Sequence, residues 1–513
     1  SYSAGVRGFS PANPTANDNL YFTGSGGGTV TNTMANSTIS SVNFITFNST
    51  AGAYTLNSTT GAAGVSGGTP LTVTGDIINN SASNQAISMN LALGGSSTGI
   101  VNTAAGNITI SGVISGTGGL TKEGNRTLTL SAANSYTGGT TINNGTIKIG
   151  SANVLGGNIT INSGATLDGS GYHGPVTSST NLIINGGTVI GGHSQQISSV
   201  SMTNGSLQGS GANNNYFIVN GLTLSGNNTI TGGIDIRSVA AGTFNVTSGT
   251  TIVSGTIDNV HGSSNPLTKN GTGTLTLSGN NFMRGTTLNA GTLNINSATA
   301  LGNGTFAFTI NGGTIDNTSG SSQTLTNNNT QSWNGDFAFT GTNDLNMGTG
   351  NVTMNASRTV TVNAGNFTVG GIISGASMGL TKNGSGTLVL SGANTYNGTT
   401  TVNAGNLTIG AADRIADTSN LNVAGGTFNL GGFNETLGSI TGSGNITLGA
   451  GTLTTNSTSN TTFSGLISGT GGLTKNGSST LTLSGNNTYN GTTTISAGTI
   501  EIAATGRLGA GNY

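Results

Sequence analysis

Polar and apolar residues alternate in short runs along most of this chain. In Thr480-Leu481-Thr482-Leu483 the leucines share one face and the threonines the other, the period-two signature of a half-buried strand. Gly498-Thr499-Ile500-Glu501-Ile502 carries the same signature over a second short run. Asn476-Gly477, Asn383-Gly384 and Asn270-Gly271 each precede such a run; these residues tolerate positive φ, and the chain must turn there. The pattern predicts short strands joined by tight turns, and no segment reads as helical.

The runs belong to a larger repeat. Leu473 to Ile502 recurs almost unchanged as Leu380 to Ile409, closely as Leu120 to Ile149, and in degenerate form as Leu267 to Ile295. Self-similarity of this kind marks architectures whose units are stable only when stacked. In the degenerate copy Met283 stands where Tyr136, Tyr396 and Tyr489 stand in the others, with Phe282 beside it. That copy is also one residue shorter between Gly285 and Gly291 than its counterpart between Gly398 and Gly405. A one-residue slip inside a strand would turn its apolar face outward, so the deletion is expected at a turn.

Between the copies lies a looser series. Gly164-Ala165-Thr166-Leu167, Gly186-Gly187-Thr188-Val189 and Gly205-Ser206-Leu207 follow one another at intervals of 22 and 18 residues, which suit one turn of a solenoid. The repeat lysines Lys122, Lys269, Lys382 and Lys475 are 147, 113 and 93 residues apart, so several unmarked rungs are expected between copies. At about 22 residues and ~4.8 Å per rung, on the order of 23 rungs would make a rod roughly 110 Å long.

Composition narrows the class. Only 5% of residues are charged and 5% aromatic, with 91 glycines among 513 residues, which excludes a helical protein. Disorder is the rival for so polar a chain. The 33% hydrophobic fraction, its regular alternation and a net charge of −1 argue for folding instead. There is no cysteine, hence no disulfide and no thiolate metal site. No run of about 18 apolar residues suggests a membrane-spanning helix. The 12 basic and 13 acidic residues are too scattered for a nucleic-acid surface. The start at Ser1 fits a secreted protein whose signal peptide has been removed. Residues 1–25, with Pro11, Pro14, Arg7, Asp18, Tyr21 and Phe22, read as an N-terminal extension that caps the first rung or reaches a partner, ahead of a solenoid over 26–513.

The repeat Leu-Thr-Lys-x-Gly-x-x-Thr-Leu-x-Leu-Ser-Gly-x-Asn-x-Tyr-x-Gly-x-Thr-Thr, followed by Gly-Thr-Leu-x-Ile, resembles the passenger-associated transport repeat, also called the autotransporter-associated β-strand repeat. The resemblance covers residues 120–149, 267–295, 380–409 and 473–502. It implies an all-β chain folded as a right-handed parallel β-helix, exported by a Gram-negative-type cell and displayed or released at its surface. It carries no catalytic residues. The family's outer-membrane barrel would show as alternating ten-residue segments, and the chain reaches Tyr513 without them.

Candidate chemistry is sparse. His173, His193 and His261 are far apart and form no metal-ligand spacing. Asp413 and Asp417 flank Arg414; a carboxylate pair of the glycosidase kind is outweighed by a solvated loop with a local ion pair. The repeat lysines read as solvated turn residues, and Tyr136, Tyr396 and Tyr489 as packing at a rung corner. No catalytic, cofactor or metal site is expected. The terminal stretch from Ala504 to Tyr513 resembles Ala298 to Phe306 and stops in mid-pattern, which suggests an open strand edge. The expectation is therefore a non-enzymatic extracellular solenoid associating end to end into a fibre. Arg7, Phe9, Tyr21 and Phe22 would meet Arg507, Leu508 and Tyr513 of a second copy by strand addition. The alternative is a monomeric adhesin stalk whose exposed rows contact cells or glycans.

Overall fold

The computed structural model describes residues 2–4, 19–32, 41–58, 70–94, 99–150, 155–170, 180–191, 195–209, 216–219, 221–236, 242–258, 266–503 and 506–511. Its strands are two to five residues long, and among the described residues there is no helix. Nearly all pairing is parallel and joins one turn of the chain to the next, which makes a β-solenoid. The chain divides into two compact units, Ser1–Ser263 and Ser264–Tyr513.

In the first unit, Leu128 pairs with Ile147, Ile147 with Leu167, Leu167 with Val189 and Val189 with Leu207. The steps are 19, 20, 22 and 18 residues, close to the rung length expected from glycine spacing. All five side chains are buried. Period-two alternation produces this column: each strand turns one apolar residue inward, and parallel in-register pairing stacks it on its equivalent a rung away. Each such Leu or Ile stabilises the fold by roughly 1.5–3 kcal/mol. The strand Leu20–Phe22 pairs with Tyr2–Ala4 on one side and with Ile45–Phe47 on the other. Parallel pairing thus already runs through residues placed ahead of the solenoid on sequence grounds.

The second unit has three kinds of parallel sheet. One runs unbroken from Thr274–Leu277 to Thr499–Ile502 and includes Leu380–Asn383 and Thr480–Leu483. An eight-stranded sheet starts at Gln323–Thr324 and ends at Ile467–Ser468. The third kind comprises Leu267–Asn270 through Ile373–Ser374, and separately the four strands Glu435–Leu437, Leu453–Thr455, Leu473–Lys475 and Thr493–Ile495. Aromatics fill this unit's interior, with Trp333 edge-on to Phe337 at 5.1 Å and Phe339 tilted against Phe367 at 5.2 Å.

Abundant glycine has a structural cause here. At Gly451, Gly471, Gly491 and Gly511 successive turns cross so closely that a Cβ on any of the last three would overlap the carbonyl of the glycine one rung before. Such a column admits only glycine. In the degenerate repeat the one-residue deletion falls between Gly285, at φ 90°, and the strand Thr286–Leu288. That strand still pairs in register with Leu267–Asn270. The deletion sits at a bend, as register requires.

Candidate functional site

The chemistry of the repeat points inward. In Leu380-Thr381-Lys382 the lysine has the parity of the leucine, so the strand turns both toward the core. Lys122, Lys269, Lys382 and Lys475 are all fully buried, which corrects their reading as solvated turn residues. The Lys382 ammonium donates to the carbonyls of Asn383 at 2.8 Å, Gly384 at 2.8 Å and Ala404 at 3.1 Å. Lys269 reaches Asn270, Gly271 and Ala290, and Lys122 reaches Glu123, Gly124 and Asn144. Lys475 donates to Gly477. For Lys122, Lys269 and Lys382 two carbonyls belong to the lysine's own turn and the third to the turn of the next rung, so three N–H donors close one turn and tie it to its neighbour. Burial pulls Lys122, Lys269 and Lys382 down to about 8, with Glu123 opposing the drop at Lys122, and lowers Lys475 as well. At neutral pH Lys122, Lys269 and Lys382 therefore keep the charged form with its three donors.

A second clamp is the asparagine two residues before the tyrosine. Asn394 Oδ1 accepts from Ile373 N at 2.7 Å in the preceding rung, and its Nδ2 donates to Arg414 O at 2.7 Å in the following one. Asn487 does the same between Ile467 N and Arg507 O. Asn134 accepts from Ile114 N, and Asn281 donates to Ala300 O. All four are buried.

The tyrosines form the third. Tyr136, Tyr396 and Tyr489 are buried, and each hydroxyl lies 2.7–2.9 Å from the threonine four residues on, Thr140, Thr400 or Thr493. Burial pushes the Tyr136 phenol up to about 12 and raises Tyr396 too, so both remain neutral hydroxyls. In the degenerate copy Met283 fills the corner without a polar tip and is fully buried.

From the residue after the repeat lysine, a ladder of side-chain amides extends along the turns. Asn289 donates to Asn270 at 2.7 Å, Asn311 to Asn289 at 2.6 Å and Asn334 to Asn311 at 3.0 Å. The repeats do not all lie on one face. The strand Leu380–Asn383 stands in the sheet that holds Thr274–Leu277 and Thr480–Leu483 of the other two copies in this unit. This copy is therefore shifted by one sheet around the solenoid.

The acidic loop differs from expectation. Arg414 makes no ion pair with Asp413 or Asp417; its Nε donates to Ala412 O at 2.7 Å and its guanidinium to Ser391 O at 3.0 Å. Instead Glu435, buried one rung on, accepts from Arg414 N at 2.8 Å and Ile415 N at 2.9 Å. Burial pushes its carboxyl up to about 7; Asp413 and Asp417 add to the rise, and the two backbone donors oppose it. In the unfolded chain it titrates near the ordinary 4.5. The folded state thus holds a proton that the unfolded state has lost between these values, and the stabilisation present below pH 4.5 declines as pH rises through 7. Amide exchange at Arg414 and Ile415 is expected to lose protection over that window in the wild type. Glu435→Gln should flatten the dependence, and an unchanged slope would remove Glu435 as its source.

Among the described residues no group of three His, Asp or Glu is placed to hold a metal, and the three histidines lie outside those residues. Of the candidate junction residues, Arg7, Phe9 and Tyr513 also lie outside them. Tyr21 is half-buried, while Phe22 is a core residue stacked at 4.9 Å on Phe47. Arg507 is exposed, its carbonyl held by Asn487, and Leu508 is half-buried. No described helix is long and apolar enough to cross a membrane.

The family model of the passenger-associated-transport-repeat matches residues 120–149, 267–295, 380–409 and 473–502. These are the four segments that carry the buried lysine clamps. No curated protein and no solved structure matches the chain.

Proposed function

We propose that this chain is a structural passenger, a non-enzymatic β-solenoid of the autotransporter type that stands at the outer surface of a cell or is released from it. The four matched repeats support the passenger assignment and an extracellular or outer-surface location. The observation that carries the structural role is the inward direction of the repeat's chemistry. Lys382, Asn394 and Tyr396 spend their polar atoms on hydrogen bonds inside the solenoid, which leaves them nothing to offer a substrate.

The finer reading is self-association into filaments. A net charge of −1 over 513 residues leaves little to repel a second copy. Electron microscopy and light scattering of the purified chain across a concentration series test it. Particles that lengthen with concentration are the expected result. A constant monomer at every concentration would overturn self-association and leave a passenger stalk.

A further inference from the structure

The eight-stranded sheet of the second unit carries a trough on its outer side. A cavity of about 400 Å³ opens there, lined across five consecutive rungs by residues that include Thr324, Asn346, Thr368, Val389 and Thr408. These five are paired in register, one per rung, so they form a straight row along the solenoid. Thr324, Thr368 and Thr408 are two rungs apart, roughly 10 Å at ~4.8 Å per rung.

The row is polar and hydroxyl-rich. Thr324, Thr368, Thr387 and Thr408 line the trough, and none of their hydroxyls has an intramolecular partner, unlike those of the buried Thr140 and Thr400. Each is free to donate and accept. The only charged group in the lining is Asp344, and its two oxygens are occupied by Asn366 N and Asn366 Nδ2, each at 2.8 Å. The surface thus carries one negative charge and no positive one, and is rich in hydrogen-bonding groups, elongated and periodic. Its one carboxylate disfavours an anionic chain, and the absence of lysine or arginine removes the means of holding phosphate or sulfate.

The geometry points to a neutral, extended, β-linked glycan lying along this trough, its hydroxyls answering the threonine row every second rung, about the length of a disaccharide. The assignment goes beyond the structural role and does not depend on self-association. No aromatic residue lines the trough, so binding rests on hydrogen bonds of modest individual worth, and roughly millimolar affinity is expected for a short oligosaccharide.

The test is calorimetric or ligand-observed NMR titration of the full chain with cellohexaose, a neutral β-1,4-linked hexasaccharide, and with hexagalacturonate as its anionic counterpart. Thr368→Val with Thr408→Val removes two hydroxyls while keeping β-branching, so the strands should persist, as circular dichroism would check. Saturable binding of cellohexaose, weakened about tenfold in the double variant and about threefold in each single variant, is the expected outcome. Thr462→Val, in a different sheet, should bind as wild type. The assignment is overturned by the absence of saturable binding, by undiminished affinity in the folded double variant, or by a preference for hexagalacturonate. None of these results would touch the passenger reading, which rests on the repeats.

Discussion

Lys382→Met is expected to cost about 4 kcal/mol of local stability, several times what an exposed lysine would lose. Methionine fills a similar volume but offers no donor. The carbonyls of Asn383, Gly384 and Ala404 would be left together in a buried turn after losing the ammonium that serves all three. A buried acceptor without a partner costs about 1–3 kcal/mol, and partial relaxation keeps the sum below its maximum. A solenoid can open locally without unfolding as a whole, so hydrogen exchange is the appropriate probe. Protection should fall at Asn403, whose amide donates to Lys382 O, and at Gly386 just beyond the clamped turn, whose amide donates to Val362 O. Unchanged protection at both amides would mean that the lysine is incidental to the turn.

Gly471→Ala is expected to destabilise by about 3 kcal/mol, although it adds a single methyl group. Its Cβ would fall inside the van der Waals surface of the Gly451 carbonyl oxygen. The obstacle is backbone, which cannot rotate away as a side chain can. Relief requires the two rungs to part, which lengthens the inter-rung hydrogen bonds nearby, including Gly491 N to Gly471 O at 3.1 Å. Alanine at Gly320, where an added Cβ meets nothing within 4 Å but φ is 90°, separates crowding from backbone strain and should cost only about 1 kcal/mol. Chemical denaturation of the three proteins compares them. Equal midpoints for Gly471→Ala and wild type would show that the rungs can separate freely.

Much of the fold was legible because a strand's period is local. Thr480-Leu481-Thr482-Leu483 shows its faces without reference to anything else, and repetition at about 20 residues shows that equivalent leucines stack. The corner role of Tyr396 followed from its fixed place in the repeat. The lysine clamp was legible in principle and was missed, since Lys382 shares the parity of Leu380 and only its charge argued for solvent. Two of the carbonyls that meet the charge are local, at Asn383 and Gly384, but nothing local could reveal the third, 22 residues further on at Ala404. The pairing of Leu20–Phe22 with Ile45–Phe47 was hidden because residues 1–25 lack the repeat. Glu435 drew no attention for a related reason: its partners Arg414 N and Ile415 N are backbone groups one rung back, and no side-chain motif records them.

By itself, then, the sequence determined the all-β class, the stacked repeats, the rung length and the absence of disulfides, because alternation, glycine spacing and composition act over a few residues at a time. The tertiary structure alone decided which polar side chains lie inside, which sheet each repeat occupies and where unpaired threonine hydroxyls line up. Those depend on what lies one rung away. The loops between copies vary in length, and the register they set brings residues some 20 positions apart into contact at about 4.8 Å.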